Sequence, residues 1–207
     1  MSIYSLKPRF QGLLRPLVRR LASWGVTANQ ITVAAALVSA ALGIGLCCAP
    51  ERPRLFLLLP LWMLLRMAFN AVDGLLAREF GQKSPLGAYL NELTDVVSDS
   101  LLYLPFAFLP HFGPRAVGPL WVGMVIVLAV ISELAGTVAV MTGASRRYDG
   151  PLGKSDRAFV FGLLGLAIGL GLQPQPWTPF IFPALALLLG ATIVNRVRRG
   201  LAELHQR

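Results

Sequence analysis

The sequence predicts an all-α integral membrane protein with six transmembrane helices and an N-terminal amphipathic helix at the membrane interface. Of its 207 residues, 55% are hydrophobic and only 14% are charged, which is too apolar for an ordinary soluble domain. Apolar runs of about 20 residues, the length that crosses a bilayer, recur along the chain. The bases behind the net charge of +9 gather between these runs, as in membrane topology, so we expect no nucleic-acid partner.

Residues 1–22 form an N-terminal segment with the pattern of an interfacial juxtamembrane helix. Apolar residues recur there at steps of three and four, with bases between them. The apolar positions are Leu6, Phe10, Leu13, Leu14, Leu17 and Leu21. Pro8 and Pro16 predict a short kinked segment rather than one straight helix. A basic leader that only sets the topology is an equally good interpretation.

Residues 23–207 are predicted to form one six-helix transmembrane domain. Thr27 or Asn29 is a suitable N-cap for the first span. The spans are expected at about 30–49, 55–78, 86–109, 116–142, 157–173 and 177–195. Pro60, Pro105 and Pro183 then lie inside spans, which membrane helices tolerate.

The distribution of lysine and arginine predicts the orientation of the spans. An even number of spans puts both termini on one side, together with residues 78–87 and 146–157. Fifteen lysines and arginines fall on that side, against Arg52, Arg54 and Arg115 opposite. The positive-inside rule therefore places both termini in the cytoplasm, in a membrane of the bacterial inner (plasma) membrane type.

The stretch from Arg66 to Asp99 contains polar and ionisable groups inside otherwise apolar predicted helices. Ionisable residues at membrane depth are costly, and they mark a functional site by default. Spans two and three are expected to be antiparallel neighbours joined by a loop near Gln82. Residues at equal depth should then face one another. The expected pairs are Asp73 with Asn91, Asn70 with Asp95, and Arg66 with Asp99.

The three levels of this predicted hairpin differ in chemistry. Arg66 and Asp99 lie deepest, and a structural ion pair is the better interpretation for them than catalysis. Asp73 lies roughly 8 Å below the cytoplasmic helix end, within reach of a charged ligand. Asp73 and Asp95, with Asn70 and Asn91, offer hard oxygen ligands for Mg²⁺ or Mn²⁺. Hydrogen bonding between helices is the alternative.

This arrangement resembles the signature of the CDP-alcohol phosphotransferase (CDP-alcohol phosphatidyltransferase) family. The family pattern is D-x-x-D-G-x-x-A-R, eight residues, then G-x-x-x-D-x-x-x-D. The positions that match are Asp73, Gly74, Ala77, Arg78, Gly87 and Asp95. Asn70 and Asn91 stand where the family has acids.

The resemblance implies a homodimeric membrane enzyme of phospholipid synthesis. Such enzymes transfer a phosphatidyl group from a CDP-linked donor, usually CDP-diacylglycerol, to a small hydroxyl acceptor and release CMP. The resemblance implies that acids hold divalent metals on the diphosphate and that Asp95 is the general base. It also implies that Gly74, Ala77, Arg78 and Gly87 line the nucleotide site.

Two further polar groups enter through the same resemblance. Asn29 and Thr32 resemble a polar patch near the nucleotide, although a helix cap explains them equally well. Lys154, in G-K-S-D-R, and Arg157 could face an anionic acceptor such as a phosphorylated alcohol. Topology and contact with lipid headgroups is the plainer explanation for this basic loop.

The two asparagines lower the charge of the expected ligand set from four negative to two. We therefore expect one divalent ion to bind firmly, or a second to bind only with the nucleotide diphosphate. Glu92 is a candidate substitute ligand, although a lipid-interface or inter-helix role fits it better. Glu133, a further deep acid, is expected either to be protonated or to share Arg66 with Asp99.

The sequence is also compatible with two rival functions. A weakened family member that binds CDP-lipid without turnover is favoured by Asn70 and Asn91. A small cation- or proton-coupled transporter is favoured only by the intramembrane acids, and it has no need of Arg78 or the spaced glycines. The identity of the acceptor, and whether the donor is the lipid or a soluble CDP-alcohol, stay open.

Overall fold

The computed structural model describes residues 6–114 and 117–206, and this part of the chain folds into helices without any strand. The long helices are α1 Leu6–Ser23, α2 Ala28–Cys48, α3 Leu58–Glu79, α4 Pro85–Tyr103, α5 Gly118–Met141, α6 Lys154–Gly169 and α7 Ile181–His205. Short 3₁₀ turns cover Pro53–Leu57, Leu104–Phe108, Pro110–Phe112 and Thr178–Phe180. The all-helical class is confirmed.

Four helical segments within the described residues are long and apolar enough to cross a membrane. They are Ala28–Cys48, Pro53–Glu79, Gly118–Met141 and Thr178–His205. The helices α4 and α6 fall at two other predicted spans but lack these properties. Helix α4 contains Glu92, Asp95 and Asp99, and α6 has only 16 residues. The count of six spans therefore stays a prediction.

The prolines that the sequence places inside spans lie at helix ends. Pro60 and Pro183 are each the third residue of their helices, α3 and α7, where the backbone N–H has no partner within the helix. Pro105 follows the end of α4, which stops at Tyr103 and continues as a 3₁₀ turn. The third predicted span, which was expected to reach residue 109, is shorter for this reason.

Helix α1 packs along α3 as a single helix of 18 residues. It continues through Pro16 without a break, and the kink expected at this residue stays a prediction. Val18 is fully buried in a cluster with Val72, Leu75 and Leu76 of α3. Leu13, by contrast, is 79% exposed. The interfacial role of this helix remains a prediction that the exposed leucine supports.

Aromatic side chains fill the end of the bundle away from the α3–α4 loop. Tyr103 stacks on Phe161 with ring centroids 3.7 Å apart, and Phe106 meets Phe161 edge to face at 5.3 Å. Phe112 and Phe182 complete the group, with centroids 4.7 Å apart. This dense apolar end leaves the polar groups of α3 and α4 to the opposite half.

The pairing of α3 with α4 differs from the predicted hairpin. Helix α2 packs closely against both, whereas the backbones of α3 and α4 make few close approaches to each other. Helix α6 packs on the other part of α3. Side chains nevertheless join the two helices, because Arg66 of α3 contacts Asp95 and Asp99 of α4.

A glycine sets the close crossing of α2 and α4. A methyl group on Gly43 would lie 2.7 Å from the carbonyl carbon of Leu101, whereas one on Gly45 would meet nothing within 4 Å. We expect Gly43→Ala to lower stability by about 1–3 kcal/mol, because backbone atoms cannot yield as a side chain can. Thermal unfolding in detergent should show this loss. Gly45→Ala is the matched control; an equal loss there would contradict the packing argument.

Candidate functional site

Asp73 is held inside the bundle by a hydroxyl group from α2. Its side chain lies on the inner face of α3, and the residue is only 6% exposed. Thr32 Oγ1 donates to Asp73 Oδ2 at 2.8 Å, and the same hydroxyl lies 3.1 Å from the carbonyl oxygen of Ala28. The structure thus places Thr32 beside Asp73, where it fixes one carboxylate oxygen.

The start of α2 is fixed by two sets of hydrogen bonds. Thr27 is the N-cap, as one of the two predicted options, and it exchanges hydrogen bonds with Gln30 at 3.2 and 2.9 Å. Gln82, from the α3–α4 loop, accepts from the backbone N–H of Ala28 at 2.7 Å. These bonds satisfy N–H groups that a helix start leaves open. They also leave the side chain of Asn29 out of the cap.

Two glycines bring polar side chains close to the same end of the bundle. A methyl group on Gly87 would lie 2.9 Å from Asn29 Oδ1, so the glycine lets this amide lie close to α4 in its present position. A methyl group on Gly74 would lie 3.2 Å from Arg78 Nη1, because this guanidinium folds back over its own helix. Ala77 instead packs with the apolar cluster of α1 and α3.

Asp95 carries a basic side chain on each carboxylate oxygen. Arg66 Nη2 lies 3.1 Å from Asp95 Oδ1, and Lys154 Nζ contacts Asp95 Oδ2. Arg66 also donates through Nη1 to Asp99 Oδ1, so one guanidinium links two acids of α4. Asp95 was expected to face Asn70 of α3, but its carboxylate contacts Arg66 and Lys154 instead. Within residues 6–114 and 117–206, the amides of Asn70 and Asn91 form no side-chain hydrogen bond.

A buried ion network lies below Asp95. Arg157 Nη2 contacts Asp99 Oδ2 at 3.4 Å and Glu133 Oε1 at 2.8 Å. Arg196 Nη1 lies 3.4 Å from Glu133 Oε1. Of the two alternatives for Glu133, the sharing of Arg66 was wrong, because Arg157 of α6, Arg196 of α7 and Arg146 of the α5–α6 loop supply its cations. Arg157 is only 1% exposed, so it faces these acids rather than the open end of the site.

The loop between α5 and α6 is fixed by ion pairs within the loop and with α7. Arg147 and Arg199 bind Asp149 through Nε and Nη1, each at 2.8 Å. Burial raises the pKa of Asp149, but the hydrogen bonds and charges of these arginines lower it more, so the net shift is downward. The stabilisation is therefore present above the ordinary carboxyl pKa and is lost as the pH falls below it. The loop thus holds Lys154 in a defined position.

Glu92 forms an ion pair with Arg146 of this loop and does not join Asp73 and Asp95 as a further carboxylate ligand. Arg146 Nη2 donates to Glu92 Oε2 at 2.8 Å, and a second contact joins Arg146 Nη1 to Glu92 Oε1. The side chains are 26% and 32% exposed, so this bidentate pair lies at the rim. The structure supports the inter-helix role for Glu92 over metal ligation.

The donor atoms present agree in type with a hard divalent cation. Across the described ranges, no group of three or more His, Cys, Asp or Glu side chains could hold a metal ion. The oxygen donors are the carboxylates of Asp73 and Asp95 and the amides of Asn70 and Asn91. Carboxylates and amide carbonyls suit Mg²⁺ and Mn²⁺, which commonly complete their coordination with water and substrate phosphates. These residues therefore fit Mg²⁺ or Mn²⁺, with only two of the four, Asp73 and Asp95, carrying a negative charge.

Sequence reasoning missed three residues of this region. Gln82 was treated only as a loop centre, Arg66 was not expected to reach Asp95, and Arg196 was counted with the terminal bases. Arg196 is 1% exposed and donates to the backbone oxygen of Ser132. Its place one residue after Asn195, at the end of an apolar run, was the available signal.

The hydroxyl of Thr32 provides a test of how Asp73 is oriented. We expect Thr32→Val to weaken Mn²⁺ binding roughly tenfold, because a hydrogen bond to a charged group contributes about 1.5–3 kcal/mol. Calorimetric titration would measure it. Thr137→Val is the control, since that hydroxyl bonds only to the backbone of Glu133 in its own helix. Equal affinities in wild type and Thr32→Val would exclude the positioning role.

The comparisons with known proteins agree with this arrangement. A sequence model described as CDP-alcohol phosphatidyltransferase matches residues 25–194. The site acids and α2 to α6 all lie within this range. The chain therefore belongs to the CDP-alcohol phosphatidyltransferase family.

One relative and two solved structures illustrate the likeness. The inner membrane protein YnbA of Escherichia coli (strain K12) is 44% identical over 198 residues, which cover 96% of each protein. Phosphatidylinositol phosphate synthase PgsA1 of Mycobacterium tuberculosis, in complex with manganese and citrate, has a TM-score of 0.72 at 22% identity, covering 90% of this chain and 88% of that one. The same enzyme with CDP-DAG bound has a TM-score of 0.73 at 21% identity, covering 89% and 92%. At this identity the structures establish a shared fold.

Proposed function

We propose that this protein transfers a phosphatidyl group from a CDP-linked donor, with CDP-diacylglycerol as the favoured donor, to a small hydroxyl acceptor and releases CMP. The single observation that carries the proposal is the inward placement of Asp73 on α3 and of Asp95 on α4 at the family's spacing. Membership of the family supports the reaction class. The CDP-DAG complex of the PgsA1 neighbour supports the donor.

Each residue has a role in this proposal. Asp73 and Asp95, with the amides of Asn70 and Asn91, would hold Mg²⁺ or Mn²⁺. The ion supplies charge neutralisation at the diphosphate. Arg78, which folds over Gly74, would meet the nucleotide phosphates, and Asn29, which lies beside Gly87, would line the same site.

The transfer itself needs one base and one leaving group. The acceptor oxygen forms a bond to the phosphorus that carries the diacylglycerol, and the bond from that phosphorus to the CMP oxygen breaks. CMP leaves with the bonding electrons, and the hydroxyl proton passes to Asp95. Metal-assisted positioning provides most of the rate in reactions of this kind.

The test is release of CMP from CDP-diacylglycerol by purified protein with Mg²⁺ or Mn²⁺, over a panel of alcohols and phosphorylated alcohols. Release that depends on both an acceptor and a divalent ion would support the proposal. A soluble CDP-alcohol with a lipid acceptor should be assayed in parallel, because the site chemistry accepts either arrangement. Absence of CMP in every combination would overturn the proposal.

A second candidate is a family member that binds CDP-lipid without turnover. Two observations favour it: Asn70 and Asn91 replace acids, and Asp95 has both oxygens engaged by Arg66 and Lys154. Saturable CDP binding without CMP release for any acceptor would select this candidate. Acceptor-dependent release of CMP would reject it.

The asparagines offer a direct prediction about metal number. We expect wild type to bind one divalent ion firmly, and Asn70→Asp with Asn91→Asp to raise Mn²⁺ affinity at least tenfold, since each adds a charged oxygen ligand. Titration with and without CDP would measure affinity and stoichiometry. Unchanged affinity in the double variant would remove both positions from the ligand set, and two ions at full occupancy in nucleotide-free wild type would refute the one-ion expectation.

We also propose that the protein lies in the inner membrane with six spans and with both termini in the cytoplasm. Residues 23–207 would form the catalytic domain, and α1 would lie on the membrane surface. We propose a homodimer as the assembled state. The four apolar helices and the inner membrane relative support the location. Labelling of single cysteines near residues 83 and 206 from either side of the membrane would test the orientation.

A further inference from the structure

The two cations on Asp95 differ in how freely they can move. Arg66 lies inside α3 with a side chain only 6% exposed, and it is tied to Asp99 as well. Lys154 is the first residue of α6, with a side chain 34% exposed, and Asp95 is its ion-pair partner within the described residues. An arginine with two buried partners stays in place, whereas a lysine on a long flexible stem can leave.

This difference matters for what Asp95 can do. A carboxylate whose two oxygens are both engaged by cations has no oxygen free to contact an acceptor hydroxyl or a metal ion. The proposed reaction needs Asp95 for both purposes. One of the two cations must therefore move away from Asp95. Lys154 is the one that can, because its side chain is the more exposed of the two.

We infer that Lys154 is the resident counter-cation of Asp95, withdrawing when the site takes up a divalent ion and thereby becoming available to an anionic acceptor. This inference rests on the proposed function. With amides at positions 70 and 91, Asp95 would otherwise be a half-buried charge facing Arg66 alone. A lysine is a suitable counter-cation for Asp95, because a metal ion displaces a partly exposed lysine more readily than it would displace a second buried arginine.

The exchange predicts an order of binding. While Lys154 remains on Asp95, the base is blocked and the ammonium is unavailable to a second substrate. Once the ion and its nucleotide have bound, both groups are released together. A phosphate or carboxylate on the acceptor is the chemistry that a freed ammonium would recognise.

The first test measures metal affinity without any turnover. We expect Lys154→Gln to bind Mn²⁺ about tenfold more tightly than wild type in calorimetric titration, because a like charge leaves the site. Lys154→Arg should stay within about threefold of wild type, and so should Lys83→Gln, which removes an exposed lysine from the α3–α4 loop. Unchanged or weaker Mn²⁺ binding by a folded Lys154→Gln protein would overturn the inference.

The second test uses the wild-type protein and so does not depend on a variant that folds. The sequence contains three lysines, Lys7, Lys83 and Lys154, which can be followed separately by mass spectrometry. Under limited acetylation, saturating Mn²⁺ should raise the labelling of Lys154 at least threefold relative to Lys83. A Lys154 to Lys83 ratio that Mn²⁺ leaves unchanged would overturn the inference.

The outcomes separate the inference from the proposed function. Tighter Mn²⁺ binding by Lys154→Gln, without CMP release by wild type under any condition, would keep the counter-cation role and reject the enzyme. CMP release by wild type, with neither an affinity change nor an acetylation change, would keep the enzyme and reject the role of Lys154.

Discussion

Replacing Asp95 with asparagine should lower CMP release by at least a hundredfold while leaving CDP binding within about threefold of wild type. A positioned general base contributes roughly 10²- to 10⁴-fold to a rate, and an amide cannot accept the hydroxyl proton. The nucleotide contacts proposed for Arg78 and Asn29 lie elsewhere and should persist. Single-turnover assays with CDP-diacylglycerol, beside calorimetry with CDP, would measure the two effects separately.

The control for this variant is Asp156→Asn, at the start of α6. Asp156 accepts a hydrogen bond from the backbone N–H of Gly153 at 2.9 Å, and an asparagine can keep that cap. Its activity should stay close to wild type. An Asp95→Asn protein that retained more than a tenth of wild-type turnover would show that another group is the base.

Replacing Asp99 with asparagine should be the most destabilising of the polar substitutions. Arg66 and Arg157 both lie against Asp99 and are buried, with side chains 6% and 1% exposed. Removing one partner from a buried ion pair costs about 3–5 kcal/mol, and we expect the lower end of this range because Arg66 keeps Asp95 and Arg157 keeps Glu133. We expect the melting temperature in detergent to fall by roughly 10 °C.

A rim pair provides the comparison for Asp99. Glu92→Gln also breaks contacts to an arginine, but Glu92 and Arg146 are about one-third and one-quarter exposed. Water can compensate both groups there, so the loss should stay below about 1 kcal/mol. Equal melting temperatures for Asp99→Asn and Glu92→Gln would mean that the deep network adds little stability.

Much of the fold followed from hydrophobic length and from polar spacing. Apolar runs located the helices that form the bundle, although α4 ends six residues before the predicted span and α7 continues ten residues beyond it. Thr27 was identifiable as a cap. The steps between Arg66, Asp73, Asp95 and Asp99 predicted that these groups point inward. Such inferences succeed because helix periodicity and the cost of intramembrane charge act locally along the chain.

The remaining features depend on contacts between distant segments. Lys154 is 59 residues from Asp95 in sequence, and Arg196 is 63 residues from Glu133, so no local pattern links either pair. Both bases were attributed to membrane topology, which explains loop charges in most sequences. The sparse backbone packing of α3 against α4 also escaped prediction, because a short loop favours direct packing, whereas here α2 packs against both helices.

The shortness of α6 has a consequence for the lipid around it. A helix of 16 residues rises only about 24 Å, less than the ~30 Å of hydrocarbon in a typical bilayer. If α6 crosses the membrane as we propose, the bilayer must thin beside it or water must descend to meet its first turn. A dip of this kind would let a water-soluble alcohol and a lipid-borne diphosphate reach the same depth while each remains in its own phase.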